Sequence, residues 1–89
     1  MKPDYEKGGE FLKALAHPVR LKMVMGLLKG HDCDVNTMVA NLKLPQSTIS
    51  QHLGVLKSKG IVSFRKDGVR ACYRVVDGRV EAILKVLGK

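Results

Sequence analysis

Apolar residues recur along this chain at two spacings, and the change from one to the other divides it into elements. From Tyr5 to Ala16, Phe11, Leu12 and Leu15 share one side of a helix, whose first turns are weakened by Gly8 and Gly9. His17-Pro18 breaks the pattern, because proline suits the first turn of a new helix. That second helix runs from Pro18 to Lys29 and stops at Gly30. Leu21, Val24, Met25 and Leu28 form one stripe on it, and Val19, Met23 and Leu27 form another. A helix apolar on two sides is expected at the centre of the molecule. His31 to Val35 is too short for a helix and reads as a brief strand. A third helix with body Thr37–Leu42 follows, capped by Asp34 or Asn36.

Lys43-Leu44-Pro45 is the next turn, and a fourth helix spans Gln46 to Lys59 before Gly60. Its inward positions are Ile49, Leu53 and Leu56; its outward ones are Gln46, Ser47, Ser50, Gln51, Gly54, Lys57 and Ser58. The period then drops to two. Ile61–Lys66 and Val69–Val75 read as strands around Asp67-Gly68, a two-residue hairpin signal. Asp77 caps a last helix reaching Leu87, with Val80, Ile83, Leu84 and Leu87 on one face. The fold class is therefore mainly α with a small β-hairpin. Two helices joined by a tight turn, the second polar on its free face, followed by a basic hairpin, make a winged helix-turn-helix of five helices and a wing.

Length changes this picture little. Eighty-nine residues allow one domain, taken as 1–89, and 45% hydrophobic residues can build a core. No apolar run approaches a membrane span, and the opening MKPDYEKGGE has no signal-peptide stretch, so a cytoplasmic protein is expected. Charge changes it more. Sixteen Lys and Arg against eight acidic residues give +8. The segment from Lys43 to Arg74 alone carries +6, with seven basic residues and the one acid Asp67. A concentrated positive surface points first to nucleic acid.

Short polar side chains at the start of a recognition helix meet base edges in the major groove. Gln46, Ser47, Thr48, Ser50 and Gln51 are the candidates here. Lys57 and Lys59, at the far end of the helix, are candidates for phosphate. Arg65, Lys66 and Arg70 flank the hairpin tip, where a cationic wing reaches the minor groove or the backbone. Arg74 reads equally as a wing contact or a structural residue. His52 falls at the edge of the buried face and reads as structural, and His17 reads as a helix-entry residue. The terminal helices need a partner for their stripes. A homodimer through Phe11, Leu12, Leu15, Val80, Ile83, Leu84 and Leu87 would set two recognition helices about 34 Å apart and imply an inverted-repeat operator in double-stranded DNA.

LKALAHPVRLKMV, followed by LKLPQSTISQHLGVLKSKGIVSFRKDGVRACYRV, resembles the ArsR/SmtB family of small repressors, and the match runs from about Leu12 to Asp77. The resemblance implies a homodimer that binds operator DNA and is released by an inducer. It is nearer to the branch of virulence and general regulators than to the metal sensors. It also supports Gln46, Ser47, Ser50 and Gln51 as base or backbone contacts. One departure is Pro45, where similar proteins carry a capping Ser; the expectation is a helix starting with Pro45 at its first position. Where family metal sensors carry C-x-C, this chain has Asp34 and Asn36, with Cys33 one residue early. The family's zinc pattern on the last helix keeps Asp77 but meets Arg79 next. No metal and no cofactor are expected. Neighbouring His31, Asp32, Cys33 and Asp34 would alternate in direction along a strand and so make a poor metal site.

Two cysteines without C-x-x-C spacing are no disulfide scaffold and no zinc ribbon. Cys33 and Cys72 have two readings. They are small buried apolar side chains, or they face each other across the short strand and the second wing strand as a thiol-responsive pair. Phosphate-loop, zinc-protease and nucleophile-elbow motifs are all missing, so an enzyme is not expected. Two alternatives to a sequence-specific regulator stay open. A protein-interaction winged helix would want an apolar, weakly charged recognition helix. A non-specific nucleic-acid binder would want stacking aromatics, and the basic segment offers only Phe64 and Tyr73, both at expected core positions.

Overall fold

The computed structural model describes residues 2–30, 33–68 and 70–88, with Asp67 and Arg70 described by backbone alone. His31 and Asp32 of the expected short strand, and Val69 of the expected second wing strand, lie outside the described residues. The elements run α1 (Tyr5–Leu15), α2 (Pro18–Leu28), α3 (Val35–Leu42), α4 (Gln46–Ser58), β1 (Val62–Asp67), β2 (Arg70–Val75) and α5 (Arg79–Leu87).

Local chemistry explains most of the boundaries. Asp4 accepts the Lys7 N–H at 3.0 Å through Oδ1, and this cap lets α1 begin ahead of its two glycines. His17 caps α2, its Nδ1 accepting the Val19 N–H at 3.1 Å, with Pro18 in the first turn. Asp34 Oδ1 accepts the Thr37 N–H at 2.7 Å, so α3 starts at Val35 and takes over the end of the expected strand. Among the described residues of that segment, Cys33 still meets the hairpin, its carbonyl accepting the Tyr73 N–H at 2.7 Å. The α3–α4 turn passes through Lys43 in the left-handed region (φ 57°). Pro45 is extended and precedes α4, which begins at Gln46 with no side-chain cap; the expected start with Pro45 as its first residue is not what forms.

The hairpin is antiparallel, with Val62 opposite Val75, Phe64 opposite Tyr73 and Asp67 opposite Arg70. The ladder closes at Asp67 opposite Arg70, so Asp67, expected in the turn, is paired and the turn is entered at Gly68. The reason is that Gly68 supplies the positive φ (65°). α5 starts one residue after Gly78, and Asp77 Oδ1 accepts the Arg79 N–H at 3.0 Å.

The core is drawn from every helix and the first strand. Met23, Val24, Met38, Ile49, Leu53, Leu56, Ile61 and Val80 are fully enclosed. α2 touches α1, α4, α5 and β2, which is the central position its double stripe implied. Each enclosed Leu or Ile contributes about 1.5–3 kcal/mol relative to exposure. Phe11, Leu15, Val80 and Leu84, four of the expected dimer residues, are buried within the single chain and close its own core. Of the other three, Leu12 and Leu87 are exposed and Ile83 is half-buried.

Candidate nucleic-acid interface

α4 is anchored from below. Ile49, Leu53 and Leu56 are at most 2% exposed and fix the helix against α2 and α3, so the opposite side is committed to solvent. Gln46, Ser47, Ser50 and Gln51 are exposed there, and among the described residues their side chains bond to no other part of the chain. Thr48 is half-buried and less available than its neighbours. Pro45 has no side-chain acceptor, so the amides of the first turn also remain open, a setting that favours phosphate oxygens.

A brace holds the orientation of α4. Arg20 on α2 donates from Nε to the Ala14 carbonyl at 2.6 Å, and its NH1 lies 3.2 Å from His52 Nδ1. The His17 and His52 rings sit 4.4 Å apart. Burial, then the charges of His17 and Arg20, lower the His52 pKa, which keeps the ring neutral as an acceptor for Arg20. His52 is thus a bracing residue joining α1, α2 and α4.

The wing rises beside α4. Arg65 and Lys66 are exposed on β1, Arg74 is exposed on β2, and the Arg70 side chain lies outside what is described. Phe64 is 41% exposed, which corrects its expected core position: its ring meets Tyr73 edge-on at 5.0 Å, and Lys57 Nζ lies 5.5 Å from its centroid. Lys57 and Phe64 thereby join the end of α4 to the wing. Lys59 is not a free cation. Its Nζ pairs with Glu10 Oε1 at 2.7 Å, and that bond lowers the Glu10 pKa. Asp77 is likewise engaged by Arg79, whose NH2 lies 2.7 Å from Oδ2 and whose guanidinium covers the Phe11 ring at 3.9 Å. That bond lowers the Asp77 pKa.

Three residues of this arrangement escaped sequence reading. Arg20 carries no local signal, Glu10 meets Lys59 only through the fold, and an apolar period of two cannot tell an exposed Phe64 from a buried one. Among the described residues no group of three His, Cys, Asp or Glu side chains is disposed to hold a metal, and no helix is long and apolar enough to cross a membrane. Cys33 and Cys72 are joined as a disulfide, with Cα atoms 4.7 Å apart.

A helix-turn-helix with an outward polar recognition face and a cationic wing defines a winged-helix DNA-binding regulator. Residues 17–63 match the family model described as bacterial regulatory protein, arsR family. The chain is 42% identical, over 93% of each sequence, to an HTH-type transcriptional regulator of Methanocaldococcus jannaschii. It is 40% identical to the transcriptional repressor PagR of Bacillus anthracis, covering 92% of this chain and 82% of the relative. The crystal structure of PagR superposes with a TM-score of 0.84 over 93% of this chain and 94% of that one. HlyU from Vibrio cholerae, 32% identical, also gives 0.84, over 98% and 94%. The chain belongs to the arsR family of bacterial regulatory proteins.

Proposed function

We propose that the chain is a transcriptional repressor that binds an inverted-repeat operator as a homodimer. The observation that carries this reading is the face of α4. Gln46, Ser47, Ser50 and Gln51 are exposed and unbonded above a fully buried underside, with the cations Lys57, Arg65 and Lys66 alongside. Gln51 and Gln46 suit a bidentate pair with adenine, and the serines suit either base edges or phosphate. Thr48 lines the same end with less reach. Arg65, Lys66 and Arg70 of the wing meet the backbone or the minor groove. Relatives named as repressors support the sign of regulation.

The dimer face combines Leu12 of α1 with Ile83 and Leu87 of α5, joined by exposed Tyr5 and Val86. Two-fold pairing there carries the recognition helices to successive major grooves, about 34 Å apart. A thiol response through Cys33 and Cys72 belongs to the same reading. A gel shift with the DNA upstream of the chain's own gene, in excess random DNA and at two salt concentrations, tests it. A retained, salt-sensitive, sequence-selective complex is expected. Equal competition by random DNA would contradict it.

A further inference from the structure

We propose that Cys33 and Cys72 form a peroxide-closed latch between the helix-turn-helix and the wing, and that the closed latch is the tighter operator-binding state. The inference rests on the operator-binding reading and concerns the regulation of that same surface.

The two cysteines stand 39 residues apart in sequence, yet their Cα atoms are 4.7 Å apart, within the range a disulfide requires. Cys33 immediately precedes Asp34, the cap of α3, and Cys72 sits within β2. Beside their bond, the Tyr73 N–H to Cys33 carbonyl contact makes a second tie. The bond thus links the first residue before the helix-turn-helix to the strand that carries the wing. In the reducing interior of a mesophilic cell, where a DNA-binding regulator meets its target, a disulfide is as a rule transient and sensing rather than structural.

The surroundings suit oxidation. Both cysteines are half-buried rather than sealed. Arg65 stands directly opposite Cys72 in the ladder and Arg74 lies two residues along, so all three share one face of the hairpin, with Cβ atoms of opposed residues about 4.5–5.5 Å apart. Reactive cysteines are found in partly exposed, electropositive settings of this kind. The Cys72 thiolate attacks the outer oxygen of a hydroperoxide, the O–O bond breaks, and the leaving alkoxide or hydroxide takes a proton. The Cys33 thiol then attacks the sulfenic sulfur of Cys72, the S–O bond breaks, and water leaves with the thiol proton. Two thiols are oxidised to one disulfide, and the peroxide is reduced to an alcohol or water and a second water. A dithiol reverses the step by exchange.

The direction of the response follows from shape. Closure is compatible with the winged-helix form, since the disulfide-bonded chain superposes on its solved relatives with TM-scores of 0.84. It removes freedom between α3 and β2, and a preorganised surface binds more tightly.

The test uses the full chain, reduced with dithiothreitol, desalted and divided. One portion is treated with stoichiometric hydrogen peroxide, and disulfide formation is followed by thiol counting and mass spectrometry. Operator and random-DNA affinities are read by fluorescence anisotropy. The oxidised chain should bind operator roughly three- to tenfold more tightly than the reduced chain, as expected for removal of an ordering cost. A C33S/C72S variant, its fold checked by circular dichroism, should bind like the reduced chain with or without peroxide. Thiols that resist peroxide, a disulfide that leaves affinity unchanged, or one that weakens it would each overturn the latch. Were neither form to prefer operator over random DNA, the operator-binding reading itself would fall, and the latch with it. The wild-type comparison needs no variant to fold.

Discussion

His52 illustrates how one side chain serves a surface it does not join. Its ring, on the recognition helix, accepts from Arg20 and lies tilted against His17, and burial lowers its pKa from the ordinary value of about 6.5. In that circumstance the unfolded chain takes up a proton before the folded one does, so the associated stability is present above about pH 6.5 and declines as the pH drops below it. Urea midpoints measured from about pH 7.5 down to about pH 5.5 should fall, and His52→Gln should flatten that fall. Equal slopes for both proteins would show that the ring has no such role. The helical period already set His52 at the margin of the buried face. It carried no hint of Arg20, thirty-two residues away, because a brace of this kind exists only after α2 and α4 pack. The Lys59–Glu10 pair went unseen for the same reason: the two are forty-nine residues apart.

Elements were legible where chemistry is local. Pro18, Gly30 and Gly60 mark helix boundaries through conformations that other residues resist, and the inward triad of α4 follows from spacing alone. Competing local bonds account for the differences. Asp34 chose the Thr37 amide and pulled the start of α3 forward, and the glycine of Asp67-Gly68, not the aspartate, supplies the first turn position. The pairing of Cys33 with β2 depends on the whole hairpin being in place, although the order of elements was enough to suggest it. At this scale the wing makes its own prediction. Arg65→Gln and Lys66→Gln should weaken operator and random DNA about equally and make the salt dependence shallower by about one unit per lost phosphate contact in each subunit. Anisotropy titrations at several salt concentrations measure this. A loss confined to operator would instead assign the wing to base reading.

For the whole molecule, charge and burial divide the surface by task. Apolar side chains remain exposed on α1 and α5, whereas the basic segment surrounds α4 and the hairpin. Sequence spacing named seven residues for the dimer and could not separate those facing inward from those facing out, since apolar spacing on a terminal helix reads the same for both. Leu12→Glu with Leu87→Glu should give a folded monomer by analytical ultracentrifugation and lower operator affinity by at least tenfold, roughly the loss of one linked half-site. An unchanged dimer would move the interface elsewhere. If the wild-type chain binds as a dimer with about four cations per subunit on phosphates, its slope of log K against log salt should be about −7.

The most direct test sets Ser50→Ala with Gln51→Ala against the wild-type chain, titrating both with operator and with random duplex under identical salt. Each lost base contact is worth about 1–3 kcal/mol, so the double variant should lose about tenfold or more on operator while its melting temperature and its affinity for random DNA hold steady. Operator affinity equal to wild type, from a variant just as stably folded, would contradict recognition by the exposed face of α4.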